Sequence, residues 1–230
     1  MSWVFANISM LAHLTGQNAY LALVPVLIGL VISVPLGIVC ARWSWLYSPV
    51  LSITSVLYAL PALALFVVLI AYTGLTDTTV MIPLTVYTLA VLFPSVVDGL
   101  RSVPEPVRQA AVAMGFGTWR RLAFVELPIA TPVVIAGLRI ATVSSISLVS
   151  VGELIGIGGL GYLFEDGQQR DFTTEIVTGI VLIIVLALVA DTVLVLARRW
   201  LTPWQRGAGG DSRLPILRAT LRGRPGAGLT

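Results

Sequence analysis

Apolar residues dominate the chain in long unbroken runs, and polar residues gather between them. A helix needs about 20 mostly apolar residues to cross the hydrocarbon core of a bilayer. Five windows meet that requirement, at 20–40, 50–72, 80–97, 129–151 and 176–197. The first contains Pro25 and Pro35, and the third and shortest contains Pro83 and Pro94. Prolines at this frequency would break helices in water, whereas in a membrane bundle neighbouring helices re-satisfy the freed backbone groups. The pattern predicts an all-α integral membrane protein with five transmembrane helices. Residues 1–18 read as an external N-terminal segment, with Trp3 to Leu14 as a short interfacial helix. Residues 19–199 form the membrane domain and 200–230 a basic tail.

Composition narrows the class. Of 230 residues, 57% are hydrophobic and only 11% are charged, where a soluble domain carries about 25%. Cys40 is the single cysteine and His13 the single histidine, so no intramolecular disulfide and no Cys- or His-based metal cluster can form. His13 is read as an interfacial polar residue. No basic stretch precedes the first apolar run, so the N-terminus does not read as a signal peptide.

The net charge of +3 matters less than its placement. Arg42 follows the first window; Arg101, Arg108, Arg120 and Arg121 lie between the third and fourth; Arg198, Arg199, Arg206, Arg213, Arg218, Arg222 and Arg224 follow the fifth. An odd number of spans puts all three groups on one side, which the positive-inside rule makes cytoplasmic. The other side carries Asp77, Glu165, Asp166, Asp171 and Glu175, with Arg170 alone against them. The N-terminus is thus expected outside and the C-terminus inside. Trp43, Trp45, Trp200 and Trp204 fall at the cytoplasmic boundaries, as an aromatic belt would. The tail from Thr202 onward is rich in Gly, Pro and Arg and reads as disordered, resting on anionic lipid or on a partner. Topology explains these arginines without nucleic acid.

The loop 98–128 is patterned. Ser102 and Glu105 fit a capping box, and Pro104 and Pro106 suit a helix start. Val107, Ala110, Ala111 and Met114 fall at i, i+3, i+4 and i+7, one apolar stripe. Gly115 is placed to end this helix in the left-handed conformation. A second helix is expected from Thr118, with Trp119, Leu122 and Val125 on one side, stopping before Pro128. The loop reads either as an amphipathic hairpin on the inner leaflet or as a docking element for a cytoplasmic partner. Small residues at the tip favour the second, since a lipid-facing helix would carry larger apolar side chains.

Gln109-Ala110-Ala111, then Gly115 after three residues, then Val125-Glu126-Leu127-Pro128 after nine more, resembles the EAA loop of ABC importer permeases. Val34-Pro35-Leu36-Gly37, Leu60-Pro61-Ala62-Leu63-Ala64-Leu65, Gly137-Leu138-Arg139 and the run from Leu154 to Gly161 resemble more narrowly the osmoprotectant uptake permeases for glycine betaine, carnitine, choline or proline. The resemblance covers residues 13–195. It departs at Gln109, where the family has glutamate, which removes a charge able to pair with a basic group on the ATPase. It implies a type I importer permease in the bacterial plasma membrane. Gln109, Ala110, Ala111, Met114, Gly115 and Phe116 would dock the ATPase. ATP would bind that separate subunit, and this chain would hold no cofactor, metal or catalytic residue. A second permease copy or a homologous permease and an external solute-binding protein would complete the assembly. Cargo such as methionine or another amino acid remains open within the class. A secondary transporter would be built from inverted repeats, and a membrane scaffold would not require this loop spacing.

Several further residues carry chemistry in isolation. Gly156, Gly158 and Gly161 satisfy G-x-G-x-x-G, but a dinucleotide site needs a strand before it and a βαβ setting; a tight packing turn is the expectation. Arg139 and Asp191 are ionisable groups inside spans, expected to reach the nearby interface separately or, alternatively, to pair near the gate. Glu153, at the outer end of the fourth window, either faces the pathway or is a solvated helix-end carboxylate.

Overall fold

The computed structural model describes residues 2–203, and the tail from 204 on, with Trp204 and the five tail arginines, lies outside the described residues. All regular structure among the described residues is helical. In chain order it comprises α1 (Ser2–Ala6), α2 (Ile8–Arg42), α3 (Ser44–Ala59), α4 (Ala62–Thr73), α5 (Asp77–Arg101), α6 (Glu105–Ala113), α7 (Thr118–Arg121), α8 (Leu127–Val149), α9 (Tyr162–Gln169) and α10 (Thr173–Leu201). A π-helical turn, Leu122–Glu126, joins α7 to α8. Two 3-10 turns, Ser150–Ile155 and Gly159–Gly161, lead into α9.

Helix α5 is the axis of the bundle, with α2 on one flank and α8 on the other. Glycines set both contacts. A methyl group added at Gly37 would lie 2.5 Å from Val96 Cγ1, and one at Gly29 would lie 2.5 Å from Thr88 Oγ1. Across the other contact, Gly137 meets Ser95. Without a hydrophobic drive between helices in lipid, such small-residue contacts supply the packing. Around Pro25, buried hydroxyls serve backbone carbonyls: Ser145 Oγ donates to Ala22 O at 3.0 Å and Thr88 Oγ1 to Pro25 O at 3.2 Å. These two bonds tie the stretch of α2 around Pro25 to α8 and to α5.

The N-terminus differs from expectation. The chain turns at Asn7, and residues 8–14 are already the first turns of α2. Their apolar side chains have a place to pack: Met10, Leu11 and Leu14 join Trp3 and Val4 around buried Leu160 and Leu163.

Four single helices are long and apolar enough to span, and the expected span 50–72 is a pair, α3 and α4, bent by 89°. The break falls at Leu60-Pro61, both extended, because a residue before proline is pushed out of the helical region. The carbonyl of Leu60, released by the break, accepts the hydroxyl of Tyr87. Contacts along α5 show what the pair does. Tyr47, at the start of α3, stacks on Phe93 and lies under Arg101 with 4.3 Å from guanidinium carbon to ring centroid. Leu60 sits level with Tyr87, and Thr73 Oγ1 is 2.6 Å from Thr79 Oγ1. The two ends of the pair thus meet the two ends of α5, with the bend level with Tyr87 between them. Arg42 and Arg101 consequently share an end of the bundle, opposite Asp77.

Helix α10 packs on α8 and α9 but shows much of its surface: Ile180, Ile184, Leu188 and Val193 are all exposed. Such a face suits lipid or another subunit.

Candidate functional site

The hairpin between α5 and α8 begins differently from its sequence reading. Helix α5 continues to Arg101, so Ser102 caps its C-terminus, donating Oγ to Gly99 O at 2.7 Å. The expected capping box is absent, and Pro104 occupies the N-cap of α6. An uninterrupted α5 makes Ser102 a better partner for that helix's last carbonyls than for the next helix's amides.

The tip forms as the glycine spacing predicts. Gly115 has φ +79°. Its N–H donates to Val112 O at 2.9 Å and that of Phe116 to Ala111 O at 3.0 Å. This pair of bonds is the Schellman arrangement, which satisfies the last carbonyls of α6 and turns the chain sharply. Within the apolar stripe, Ala111 alone is buried. Gln109 and Ala110 are exposed, as are Val112 and Met114 on the adjoining surface. Phe116 is half-buried, with the Arg120 guanidinium 4.9 Å from its ring centroid. Small and apolar groups at a rigid turn, facing outward, make a surface that another protein can cover.

The second helix does not stop before Pro128. It widens into the π turn, where Leu127 N–H bonds to Leu122 O, and runs on into α8. Proline lacks an amide and collides with the carbonyl four residues back; a widened turn accommodates it. The same turn brings Arg121 beside Glu126, with Nε–Oε1 2.8 Å. Residues five apart lie on different faces of an α-helix, but a π turn aligns them. Arg108 closes the clamp from α6: its Nη2 donates to Leu100 O at 2.6 Å, and its Nε stands 3.9 Å from Glu126 Oε1. One guanidinium thus ties the hairpin to the end of α5 and to the start of α8. Sequence reasoning missed Glu126 and Arg108 as a pair, and the signal available was a lone acidic residue ahead of the Leu-Pro step.

Arg139 and Asp191 come together. Nε donates to Oδ1 at 2.6 Å and Nη2 to Oδ2 at 2.8 Å, a two-pronged bond that matches the planar guanidinium to the carboxylate. Separate snorkelling, the expected arrangement, is replaced by a link between α8 and α10, since each charge in the bundle is far less costly beside its partner.

Glu153 is half-buried in the turn Ser150–Ile155. The glycines after it form a packing corner. A methyl group at Gly159 would lie 2.9 Å from the Asn18 backbone, and Gly158 abuts Glu153. Asn18, fully buried, donates Nδ2 to Ile146 O and accepts from Leu160 N–H, both at 3.3 Å. It pins α2, α8 and the glycine turn together, a role the apolar windows concealed. The corner is helical on both sides, which is no setting for a dinucleotide. His13 is exposed on α2, and among the described residues no group of three His, Cys, Asp or Glu side chains is arranged to hold a metal.

Known proteins resemble the chain both in sequence and in fold. Residues 33–207 match the family described as binding-protein-dependent transport system inner membrane component. The osmoprotectant import permease protein OsmW of Salmonella typhimurium is 32% identical over 206 residues, covering 87% of this chain and 96% of the relative. The glycine betaine/carnitine/choline transport system permease protein OpuCD of Bacillus subtilis is 34% identical, covering 80% and 81%. An inward-facing structure of the MetNI methionine ABC transporter superposes with a TM-score of 0.74 at 22% identity, covering 85% of this chain and 97% of that one.

Proposed function

The chain belongs to the family of inner membrane components of binding-protein-dependent transport systems, and from that premise we propose that it forms half of a translocation path for an osmoprotectant. The solute is glycine betaine, carnitine, choline or a related zwitterion or quaternary amine, as in the names of the relatives. Likeness to the methionine transporter is one of fold and does not favour methionine as cargo.

The observation that carries the mechanism is the hairpin. We read it as the EAA loop, with Gln109, Ala110, Met114, Gly115 and Phe116 seated in a groove of a separate ATPase and buried Ala111 packed beneath them. Arg108 and Glu126 bind that hairpin to α5 and α8, the two most central helices, so displacement of the tip displaces them as rigid bodies. ATP-driven closure of two ATPases would then rock two permease halves about the path, a rigid-body form of alternating access. The second half is another copy or a homologous permease, and an external binding protein delivers the solute. The Arg139–Asp191 bond keeps α10 moving with α8, and Glu153 stands at the external end where a cationic headgroup would arrive. The arginine-rich end is cytoplasmic, with the N-terminus outside.

The test is uptake of labelled glycine betaine and choline by vesicles holding the chain with its ATPase and binding protein. Uptake is expected only with ATP inside or at the ATPase face. Uptake without ATP hydrolysis would overturn the importer reading, as would Ala111→Glu leaving ATPase association unchanged.

A further inference from the structure

At the arginine-rich end, a cavity of about 580 Å³ opens between the last turns of α2 and the hairpin. Its volume is within the range of small-ligand sites, about 300–1,000 Å³. Arg42, Arg108 and Arg121 line it, with Glu126 as its only acidic group among the described residues. Glu126 is already engaged by Arg121 at 2.8 Å. The buried Nε of Arg108 has no hydrogen bond, its distance to the same carboxylate being 3.9 Å. Arg42 is exposed, with no bonded or ion-pair partner among the described residues. Three guanidinium groups against one carboxylate leave the cavity doubly positive and short of acceptors. Apart from Thr118, its remaining wall is largely apolar, from Ile38 and Val39 on α2 to Leu122 on the π turn.

We propose that this cavity holds the phosphate headgroup of an anionic phospholipid, with the glycerol and first acyl carbons along α2. The phosphate diester supplies the acceptors that Arg42 and the Nε of Arg108 lack, in the planar geometry guanidinium favours. Basic pockets between transmembrane helices are a recurring way of holding anionic headgroups. The apolar wall separates a lipid from free phosphate, because a soluble anion would gain nothing from Ile38 and Val39. A lipid seated here bridges α2 to the hairpin, so the membrane's anionic content would bear directly on the stiffness of the linkage through Arg108. The topology proposed above decides only which leaflet supplies the lipid; retention is read in either orientation.

The experiment is lipid retention by the full chain, purified with its ATPase from bilayer discs of equal phosphatidylglycerol and phosphatidylcholine, counted by native mass spectrometry. Retention of phosphatidylglycerol over phosphatidylcholine is expected, and Arg42→Gln should lower the preference by about tenfold or more, the loss of a hydrogen bond to a charged group. Arg42→Lys should keep only part of it, the charge without the two-pronged bond. Arg101→Gln, at the same end but outside the cavity, should change it by no more than the diffuse surface effect, about fivefold. Absence of preference in the native chain overturns the proposal, as does an equal loss in Arg101→Gln, which would mean diffuse attraction. Release of the lipid by excess sodium phosphate would assign the cavity to a soluble anion. Loss of the ATPase with lipid retained in Arg42→Gln would assign it to the protein partner. Because retention needs no transport, its failure and the failure of the importer reading are separate results.

Discussion

Replacing Gly115 isolates backbone conformation from everything else at the hairpin. A methyl group at Gly115 would meet nothing within 4 Å, yet φ is +79°. The cost of Gly115→Ala is therefore conformational rather than steric, about 1–2 kcal/mol for an L-residue in the left-handed region. Such a cost changes the ratio of closed to open turn by about five- to thirty-fold. The Phe116 amide reports the closed turn, since it donates to Ala111 O at 3.0 Å. Hydrogen exchange at Phe116 should accelerate by that factor in Gly115→Ala, while amides of α5 and α8 keep their protection. Gly115→Asn should recover part of the protection, because asparagine tolerates this conformation better than alanine. Gly117 also faces open space but has φ −67°, so Gly117→Ala is the control and should leave exchange at Phe116 unchanged. Affinity for the ATPase should fall in step with the closed population in Gly115→Ala. Unchanged exchange in Gly115→Ala, or equal acceleration in Gly117→Ala, would refute the reasoning.

Two other sites give separable outcomes. Asn18→Leu removes the partner of Ile146 O and Leu160 N–H in a fully buried position, so thermal unfolding in detergent should show a loss of about 1–3 kcal/mol; an unchanged midpoint would mean the corner holds without it. Arg139→Asp and Asp191→Arg should each abolish uptake while the double exchange restores it, since the bidentate bond links α8 to α10. A double exchange as inactive as the singles would deny the pair its coupling role.

Much of the site could be read along the chain because its physics is local. The left-handed turn at Gly115 follows from a helical stripe meeting a glycine, and the helices on either side follow from periodicity. Interactions that depend on a change of period could not be read. Arg121 and Glu126 belong to different faces until the π turn, imposed by Pro128, realigns them. Ser102 was equally suited by spacing to start α6 or to finish α5, and the unbroken run of α5 decided it. The glycine run after Glu153 looked like a ligand motif because spacing alone does not state what packs against it; the Asn18 backbone does.

For this protein the sequence alone determines the apolar windows, the side on which arginine collects and the hairpin's turn, because each rests on solvation or on backbone preference within a few residues. Tertiary structure alone decides that the bent pair of α3 and α4 meets both ends of α5, that Arg139 meets Asp191 across 52 positions, and that Arg42, Arg108 and Arg121 open on one cavity. These depend on which helices are neighbours and at what height. That is set by glycine contacts and proline breaks acting together across the bundle, and no single stretch of chain contains it.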